Sequence, residues 1–277
     1  MKRTVPAYFD FLIDGFERGL VGRSVHLGHW DQPSGGVTSG PDEFARAQDR
    51  LDEVLLGMAD FQDGQSVLDV GCGFGGSLQK VDRRFRNVRL VGVNIDPRQL
   101  AICRQLGPRE GNVFEWIEAD ACDLPFADAT FDRVLCIEAM FHFASRRVFF
   151  REAARVLRPG GVLVISDLDL DRSATRADLP GFCIEAMLRD GYGPWPEPWG
   201  EEVDGRALGG AAGLTCTRFL DATAQTRPSH RFTVPAHLGD GRDPGEPTLR
   251  AALMLKWLHE HGHLRCVYMR FDKPPDR

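Results

Sequence analysis

The chain has 277 residues, 43% of them hydrophobic, and its 34 Lys and Arg against 40 Asp and Glu give a formal net charge of −6. This length and apolar content can support one large domain with a full core. No stretch concentrates basic residues with interleaved aromatic residues, and no apolar run has the form of a signal peptide or a membrane span, so we expect a cytoplasmic protein that binds neither nucleic acid nor membrane.

The first predicted element is a helix over residues 8–16, whose apolar run is interrupted by Asp10 and Asp14. This pattern favours an amphipathic surface helix, which we expect to lie over the active site. A loop rich in glycine and proline follows at residues 33–41, and the next helix is predicted over residues 42–59.

A short apolar strand and a glycine-rich turn at residues 67–76 carry the strongest signal in the chain. Glycine accepts positive φ and allows a ligand to approach the backbone closely. With a helix from Ser77 onward, the strand and turn form the nucleotide-binding corner of a doubly wound α/β domain. The glycines also satisfy the weak dinucleotide pattern G-x-G-x-x-G. Asp69 at the mouth of the turn would repel a pyrophosphate, however, and suits a cation. A glycine turn without a cofactor is the alternative.

The same pattern of strands and helices continues through residue 170. Strands are predicted at 89–96, 113–120, 131–138 and 162–167, with helices at 98–106 and 146–157 and a turn at 158–161. Five strand–helix units in order predict a parallel sheet with helices on both faces. Right-handed crossovers then place the carboxyl end of every strand on one edge, where ligands bind.

The last hundred residues follow a different pattern. Helices are predicted at 180–189, 201–212 and 249–261, strands at 214–223 and 264–272, and a loop rich in proline and aromatic residues at 192–200. Long aromatic loops in compact domains are usually functional. A rigid surface connection is the alternative for this loop.

Several of these segments resemble one known family. Residues 69–75 follow D-x-G-x-G-x-G, which resembles motif I of class I S-adenosylmethionine-dependent methyltransferases, and residues 158–161 resemble that family's R-P-G-G turn. The segment 138–143 is most similar to bacterial small-molecule methyltransferases of secondary metabolism. The resemblance implies an α/β fold with a doubly wound, Rossmann-like sheet of seven strands, in which the strand at 264–272 is antiparallel.

The resemblance also implies a division of the chain. Residues 1–43 would form an N-terminal helical cap and residues 44–170 the cofactor-binding core. Residues 171–277 would form a lid inserted after the fifth strand and the C-terminal strands that complete the same domain.

The cofactor implied by the resemblance is S-adenosylmethionine, with S-adenosylhomocysteine as the product. The residues that the resemblance places around it are Trp30, Gln48, Asp69, Gly71, Cys72, Gly73, Gly75, Asn94, Ile95, Gln99, Asp120, Ala121 and Glu138. Trp30 ends a segment similar to the family's H-x-G-Y-W. It would either cover the sulfonium through a cation–π contact or anchor the N-terminal helix to the core.

Asn94 departs from the family, which usually carries an acid at this position to bind both ribose hydroxyls. The amide can make one hydroxyl contact, and Asp96 or Gln99 could supply another. The alternative for Asp96 is that it caps the helix that starts near Pro97.

Transfer of a methyl group to a hydroxyl requires a proton acceptor. His142 follows the fourth strand and Asp167 ends the fifth, and in related sugar O-methyltransferases a His and an Asp at these places act together. We therefore expect His142 to be the general base and Asp167 to orient it. The alternative is that His142 only shapes the pocket, because N- and C-methyltransferases of this fold can act by positioning alone.

The expected partner is a small, largely apolar methyl acceptor, indicated by Phe141, Phe143, Trp195 and Trp199. A protein or nucleic-acid substrate is not expected, because no N-P-P-Y tetrapeptide follows the fourth strand. Two alternatives are a methyltransferase fold recruited to cyclisation and, more remotely, an NAD-dependent oxidoreductase, against which Asp69 argues.

Cysteine and histidine patterns give no sign of a metal site or a disulfide framework. The seven cysteines are scattered and form no C-x-x-C pair. His259, His261 and His263 are spaced by two residues, which matches no known ligand pattern. We expect a monomer or a homodimer without a bound metal.

Overall fold

A seven-stranded sheet forms the centre of the computed structural model, which describes residues 5–31, 41–171, 184–195, 202–233 and 246–276. The strands are β1 (Ser66–Val70), β2 (Arg89–Asn94), β3 (Val113–Glu118), β4 (Phe131–Ile137), β5 (Leu157–Leu170), β6 (Thr215–Asp221) and β7 (Leu264–Asp272). Their order across the sheet is β3-β2-β1-β4-β5-β7-β6. β1 to β5 are parallel, and β7 is antiparallel to both of its neighbours. The doubly wound, seven-stranded fold predicted from the sequence is confirmed.

Helices cover both faces of this sheet. They are α1 (Ala7–Glu17), α2 (Pro41–Ala59), α3 (Gly76–Arg84), α4 (Pro97–Cys103), α5 (Arg146–Val156), α6 (Ile184–Tyr192), α7 (Glu202–Ala211), α8 (Thr223–Thr226), α9 (His230–Thr233) and α10 (Pro247–Glu260). Successive strand residues alternate between two cores. Leu135 and Val164 join the cluster that includes residues of α2 and α10, while Val134 and Leu163 join the cluster that includes residues of α5 and α7.

β5 starts five residues before the predicted strand and includes the R-P-G-G segment that was expected to form a turn. Phe131 pairs with Leu157, and the register then shifts before Arg133 pairs with Val162. Gly160, with a φ of +75°, sits in this irregularity. The extra residues therefore form a bulged start of the strand, because glycine accepts the left-handed conformation that a bulge needs.

Several other predictions need comment. α8 and α9 were not predicted, because four-residue helices have too few turns to show a periodic pattern. The predicted loop at 33–40, residues 180–183 of a predicted helix, and residues 196–200 with Trp199 lie outside the described residues. The division of the chain into three regions stays a prediction, although its boundary after residue 43 falls inside α2.

The N-terminal cap lies against the elements that follow the parallel strands. Asp10 of α1 pairs with Arg98 of α4 at 2.6 Å, and Leu12 packs in one cluster with Phe74 and Ile102. Tyr8 contacts Tyr192 of α6, with ring centroids 4.8 Å apart. α1 therefore covers the edge of the sheet where the strands end. Among the described residues, no helix has both the length and the apolar character needed to cross a membrane.

Arg133 joins β4 to the end of α2 and provides a test of this packing. Its buried guanidinium donates to the carbonyl oxygens of Ala59 at 2.6 Å and Asp60 at 2.7 Å. We expect Arg133→Met to lower the free energy of unfolding by about 2 to 3 kcal/mol in urea titrations, because both carbonyls lose a buried donor. Arg158→Met is the control, since Arg158 pairs with Asp132 while 45% exposed, and it should cost less than about 1 kcal/mol. Equal losses would contradict the assignment.

Candidate active site

A cavity of about 500 Å³ lies at the carboxyl ends of β1, β2 and β4. Most of the predicted site residues line it, namely Asp69, Gly71, Cys72, Gly73, Asn94, Ile95, Gln99, Asp120, Ala121, Glu138 and His142. α1 and residues 23–26 form the opposite wall. We call this the first cavity. Predicted residues outside its lining are Trp30, Gln48, Gly75 and Asp167.

The turn after β1 brings bare backbone to the first cavity. The amides of Gly71 and Cys72 donate to the carbonyl oxygen of Val93 on β2, at 2.9 and 3.0 Å. Gly71 has a φ of +80°, and a Cβ there would lie 2.5 Å from the Cβ of Ala139. The turn therefore packs directly against the loop that follows β4, which only glycine permits. Gly75 is instead the N-cap residue of α3, and a Cβ there would strike Trp116. Gly75 lies outside the lining of the first cavity, and its contact with the cofactor stays a prediction.

Asp69 has a buried carboxyl group whose negative charge is not fully balanced by nearby positive charge. It is 3% exposed, and burial together with the nearby charge of Asp52 raises its pKa to about 7. A ligand cation would remove this penalty, because an opposite charge favours the ionised carboxylate. The sulfonium and ammonium of S-adenosylmethionine are such cations, so this part of the cavity fits that group.

Sequence analysis missed a buried charge cluster beneath Asp69. Asp52 of α2 accepts hydrogen bonds from Ser24 at 3.1 Å, Ser77 at 2.6 Å and His26 at 3.2 Å, and it forms an ion pair with Lys80. Burial raises the pKa of Asp52, but the charges and hydrogen bonds of His26 and Lys80 outweigh burial and hold that pKa below its usual range. Asp52 therefore stays ionised. The one indication of this cluster in the sequence is that Asp52 is an acidic residue on the apolar side of a predicted helix.

His26 of this cluster is a cation. Its Nδ1 lies 2.7 Å from the carbonyl oxygen of Leu27 and its Nε2 lies 3.2 Å from a carboxylate oxygen of Asp52. Both partners can only accept hydrogen bonds, so both ring nitrogens must carry protons. Burial lowers the pKa of His26, but Asp52 more than offsets this and the pKa is raised overall. Val25 and His26, from the segment in which Trp30 was singled out, line the first cavity, whereas Trp30 does not.

Glu138 follows β4 with a strained backbone φ of +45°. Its Oε2 accepts the amide of Leu27 at 3.0 Å, and its Oε1 is buried with no hydrogen-bond partner among the described residues. Burial raises the pKa of this carboxyl to about 7. A strained backbone and an unsatisfied buried oxygen are features typical of a functional site.

The end of β2 offers amides in place of the usual acid. Asn94 donates to Oε1 of Gln99 at 3.1 Å, and the Nε2 of Gln99 is buried without a partner in the described structure. Asp96 caps α4 by accepting the amide of Arg98 at 2.9 Å, and it also pairs with the Arg98 side chain. The capping alternative for Asp96 is thus the one observed. Gln99 remains as the amide donor available to a ribose hydroxyl.

The expected pair of His142 and Asp167 is not formed. Asp167 is fully buried and accepts from Nε and Nη2 of Arg146, each at 2.9 Å. The Nδ1 of His142 instead bonds the carbonyl oxygen of Tyr192. A fully buried arginine is stable only when a carboxylate pairs with it. Asp167 therefore pairs with Arg146 and not with His142.

Trp30 and Gln48 do not reach the first cavity either. Trp30 is buried, donates from Nε1 to Ser229 at 3.1 Å and stacks on Phe232 at 5.6 Å, so it anchors the N-terminal segment. Gln48 donates from Nε2 to the carbonyl oxygens of Ser24 and His26, both at 2.8 Å. Its amide therefore holds this wall of the cavity, and the expectation that Gln48 faces the cofactor stays a prediction.

A second cavity of about 400 Å³ adjoins the first. Much of its wall is apolar and includes Phe11, Val21, Leu27, Phe44, Leu168 and Leu255. Six residues line both cavities, namely Tyr8, Leu12, Val25, His26, Glu138 and Phe141. The two cavities therefore share part of their walls.

Comparisons with known proteins agree with this geometry. A family model described as a methyltransferase domain matches residues 68–165, from β1 to β5. Methyltransferase GfsG of Streptomyces halstedii is 36% identical over 242 residues, which cover 85% of this chain and 81% of that protein. O-methyltransferase resE of Aspergillus sclerotiorum is 31% identical over 242 residues, covering 86% of each.

Among solved structures, the fold is similar to that of the mycolic acid cyclopropane synthase CmaA1, which was crystallised in complex with SAH and CTAB. The TM-score is 0.78 at 18% identity, and the match covers 97% of both chains. Sequence identity over most of the chain, this fold and a cavity suited to a sulfonium lead to one assignment. The chain belongs to the class I S-adenosylmethionine-dependent methyltransferases, and S-adenosylmethionine is its cofactor.

Proposed function

We propose that this methyltransferase transfers a methyl group to a hydroxyl oxygen of a small, largely apolar metabolite, with His142 as the general base. The observation that carries the proposal is the position of His142. It lines the cofactor cavity and follows Phe141, one of the residues that also line the second, apolar cavity.

S-adenosylmethionine supplies a methyl group that is already activated by its sulfonium. The main task of the protein is then to align the acceptor with that methyl and to exclude water. We assign the binding of the cofactor's cationic groups to Asp69 and Glu138, and that of its ribose to Gln99. α1 contributes Tyr8 and Phe9 to the wall, and these rings keep water from the reacting centre.

The second cavity is the proposed site of the acceptor. Its apolar wall favours a molecule with a large hydrocarbon or aromatic surface, since removing such surface from water stabilises the complex. Because six residues line both cavities, a molecule in the second can reach the methyl group held in the first. The name of the Aspergillus relative, an O-methyltransferase, supports oxygen as the methylated atom.

The hydrogen bonds of His142 suit a proton acceptor. The Tyr192 carbonyl can only accept, so Nδ1 of His142 carries the proton and Nε2 keeps its lone pair. Burial lowers the pKa of His142 to about 4, so the ring is neutral at pH 7. The carbonyl thus orients the imidazole, the role that was expected of Asp167.

Asp69→Asn tests cofactor binding and the electrostatics of the first cavity together. We expect the Kd for S-adenosylhomocysteine, measured by calorimetry, to rise at least about tenfold, because a charge-assisted contact is worth about 1.5 to 3 kcal/mol. Asp128→Asn, at a 79% exposed side chain, is the matched control and should leave the Kd unchanged.

The same substitution should stabilise the protein without ligand above pH 7. Folding raises the pKa of Asp69 from 3.8 to about 7. The free energy of unfolding therefore falls as the pH rises through this interval. Urea titrations at pH 8 should therefore show Asp69→Asn to be more stable than wild type by on the order of 2 to 4 kcal/mol. The gain should vanish at about pH 4. Equal stabilities at both pH values would mean that Asp69 is not held in an unfavourable environment.

His142→Phe tests the general base, because phenylalanine keeps the ring packing and removes the lone pair. We expect kcat for an acceptor found by screening hydroxylated apolar metabolites with labelled S-adenosylmethionine to fall by about 10² to 10⁴-fold. The Kd for S-adenosylhomocysteine should change little. His261→Phe, at an exposed histidine outside both cavities, is the control. A near-normal kcat in His142→Phe across pH 6 to 9 would exclude His142 as the base and leave catalysis by positioning.

A further inference from the structure

A group of polar side chains, which we call the polar end of the second cavity, lines a part of the wall that the first cavity does not share. His230, Thr233, Glu246 and Thr248 line this end, and none of them lines the first cavity. His230 is 4% exposed and its neighbour His259 is 1% exposed. The proposed reaction uses neither histidine, so their arrangement needs its own explanation.

The hydrogen bonds of this pair fix where the protons lie. His259 Nε2 lies 2.9 Å from the carbonyl oxygen of Thr223, which can only accept, so this nitrogen carries a proton. Burial lowers the pKa of His259 to about 4 and that of His230 to about 3, so each ring carries one proton at pH 7. Nδ1 of His259 therefore accepts the hydrogen bond from Nε2 of His230 at 2.8 Å. It follows that Nδ1 of His230 carries a lone pair.

Among the described residues, this lone pair has only a weak hydrogen-bond partner. Nδ1 of His230 lies 3.4 Å from the hydroxyl oxygen of Thr233, beyond the usual length of a strong hydrogen bond. Both side chains line the second cavity. The nitrogen and the hydroxyl together form an acceptor site at the wall of this cavity.

We propose that this polar end is a binding subsite for a hydrogen-bond donor on the methyl acceptor, a second hydroxyl distant from the one that is methylated. His230 accepts the hydrogen bond, directly or through the Thr233 hydroxyl, and His259 is a positioning residue that fixes the tautomer of His230. The substrate class is then an apolar molecule that is hydroxylated at both ends. This inference rests on the proposed function in one respect, that the second cavity holds the acceptor.

Desolvation gives such a subsite its selectivity. A ligand that fills the cavity with apolar surface alone removes water from the lone pair and leaves it with the weak contact to Thr233. A site built to bond a hydroxyl therefore rejects an analogue that lacks it, by tenfold or much more.

The test uses a matched pair of probes, 2-naphthol and 2-methylnaphthalene, which differ by a hydroxyl in place of a methyl group. Binding is measured by calorimetry on protein saturated with S-adenosylhomocysteine, so that the first cavity is filled. We expect wild type to bind 2-naphthol at least about tenfold more tightly. His230→Phe should reduce this preference to about twofold or less, and the control His261→Phe should retain it.

A second measurement does not depend on a variant that folds. Long-range ¹H–¹⁵N NMR of the wild type should show both His230 and His259 protonated at Nε2. Addition of 2-naphthol should shift the Nδ1 resonance of His230, and 2-methylnaphthalene should not. If the two histidines served only to link α9 to α10, 2-naphthol would not shift this resonance.

Several results would overturn the inference. They are equal affinity of the two probes, no binding of either, a preference that survives in His230→Phe, or a His230 ring protonated at Nδ1. Failure of the proposed function looks different, because it appears as absent S-adenosylhomocysteine binding or absent methyl transfer. Loss of probe selectivity in a protein that still binds S-adenosylhomocysteine concerns this subsite alone.

Discussion

The site depends on the hydrogen bonds and the ion pair that the ionised carboxylate of Asp52 makes. This carboxylate accepts hydrogen bonds from the segment that precedes α2, through Ser24 and His26, and from Ser77 and Lys80 of α3. One buried acid therefore ties the wall of the first cavity to the helix that follows the glycine turn. A buried charge is stable only when paired and fully hydrogen-bonded, and removal of one partner leaves the others uncompensated. The wall and the turn are thus held in one arrangement before any ligand binds.

The surrounding charges explain the choice of ligand. His26 and Lys80 neutralise Asp52, but Asp69 and Glu138 are left without dedicated cations, and burial raises the pKa of each to about 7. A neutral or anionic ligand would not lower the free-energy cost of ionising these two buried carboxyl groups. A cationic ligand removes this cost, which favours the sulfonium and ammonium of S-adenosylmethionine over uncharged groups.

The sequence was most informative where structure is local. The strand–turn–helix corner around Asp69 and the strand at 264–272 follow from patterns within ten residues, and both are present in the structure. Pairing between distant side chains was not predictable. Asp167 was assigned to His142, but Arg146, fully buried in the first turn of α5, takes the carboxylate. The spacing of these residues in the sequence does not show whether Asp167 pairs with Arg146 or with His142.

The histidines show why residue type alone could not predict the charge of each ring. His26 has two acceptors at its ring nitrogens and is held as a cation. His142 has one carbonyl, and its ring stays neutral with a lone pair. The same side chain therefore carries a fixed charge at one wall of the cavity and is neutral at another, and only the partners, contributed by distant segments, distinguish the two. Burial lowers the pKa of both, and the carboxylate of Asp52 reverses the sign for His26 alone. The protonation state of each histidine is accordingly set by tertiary contacts and not by residue type.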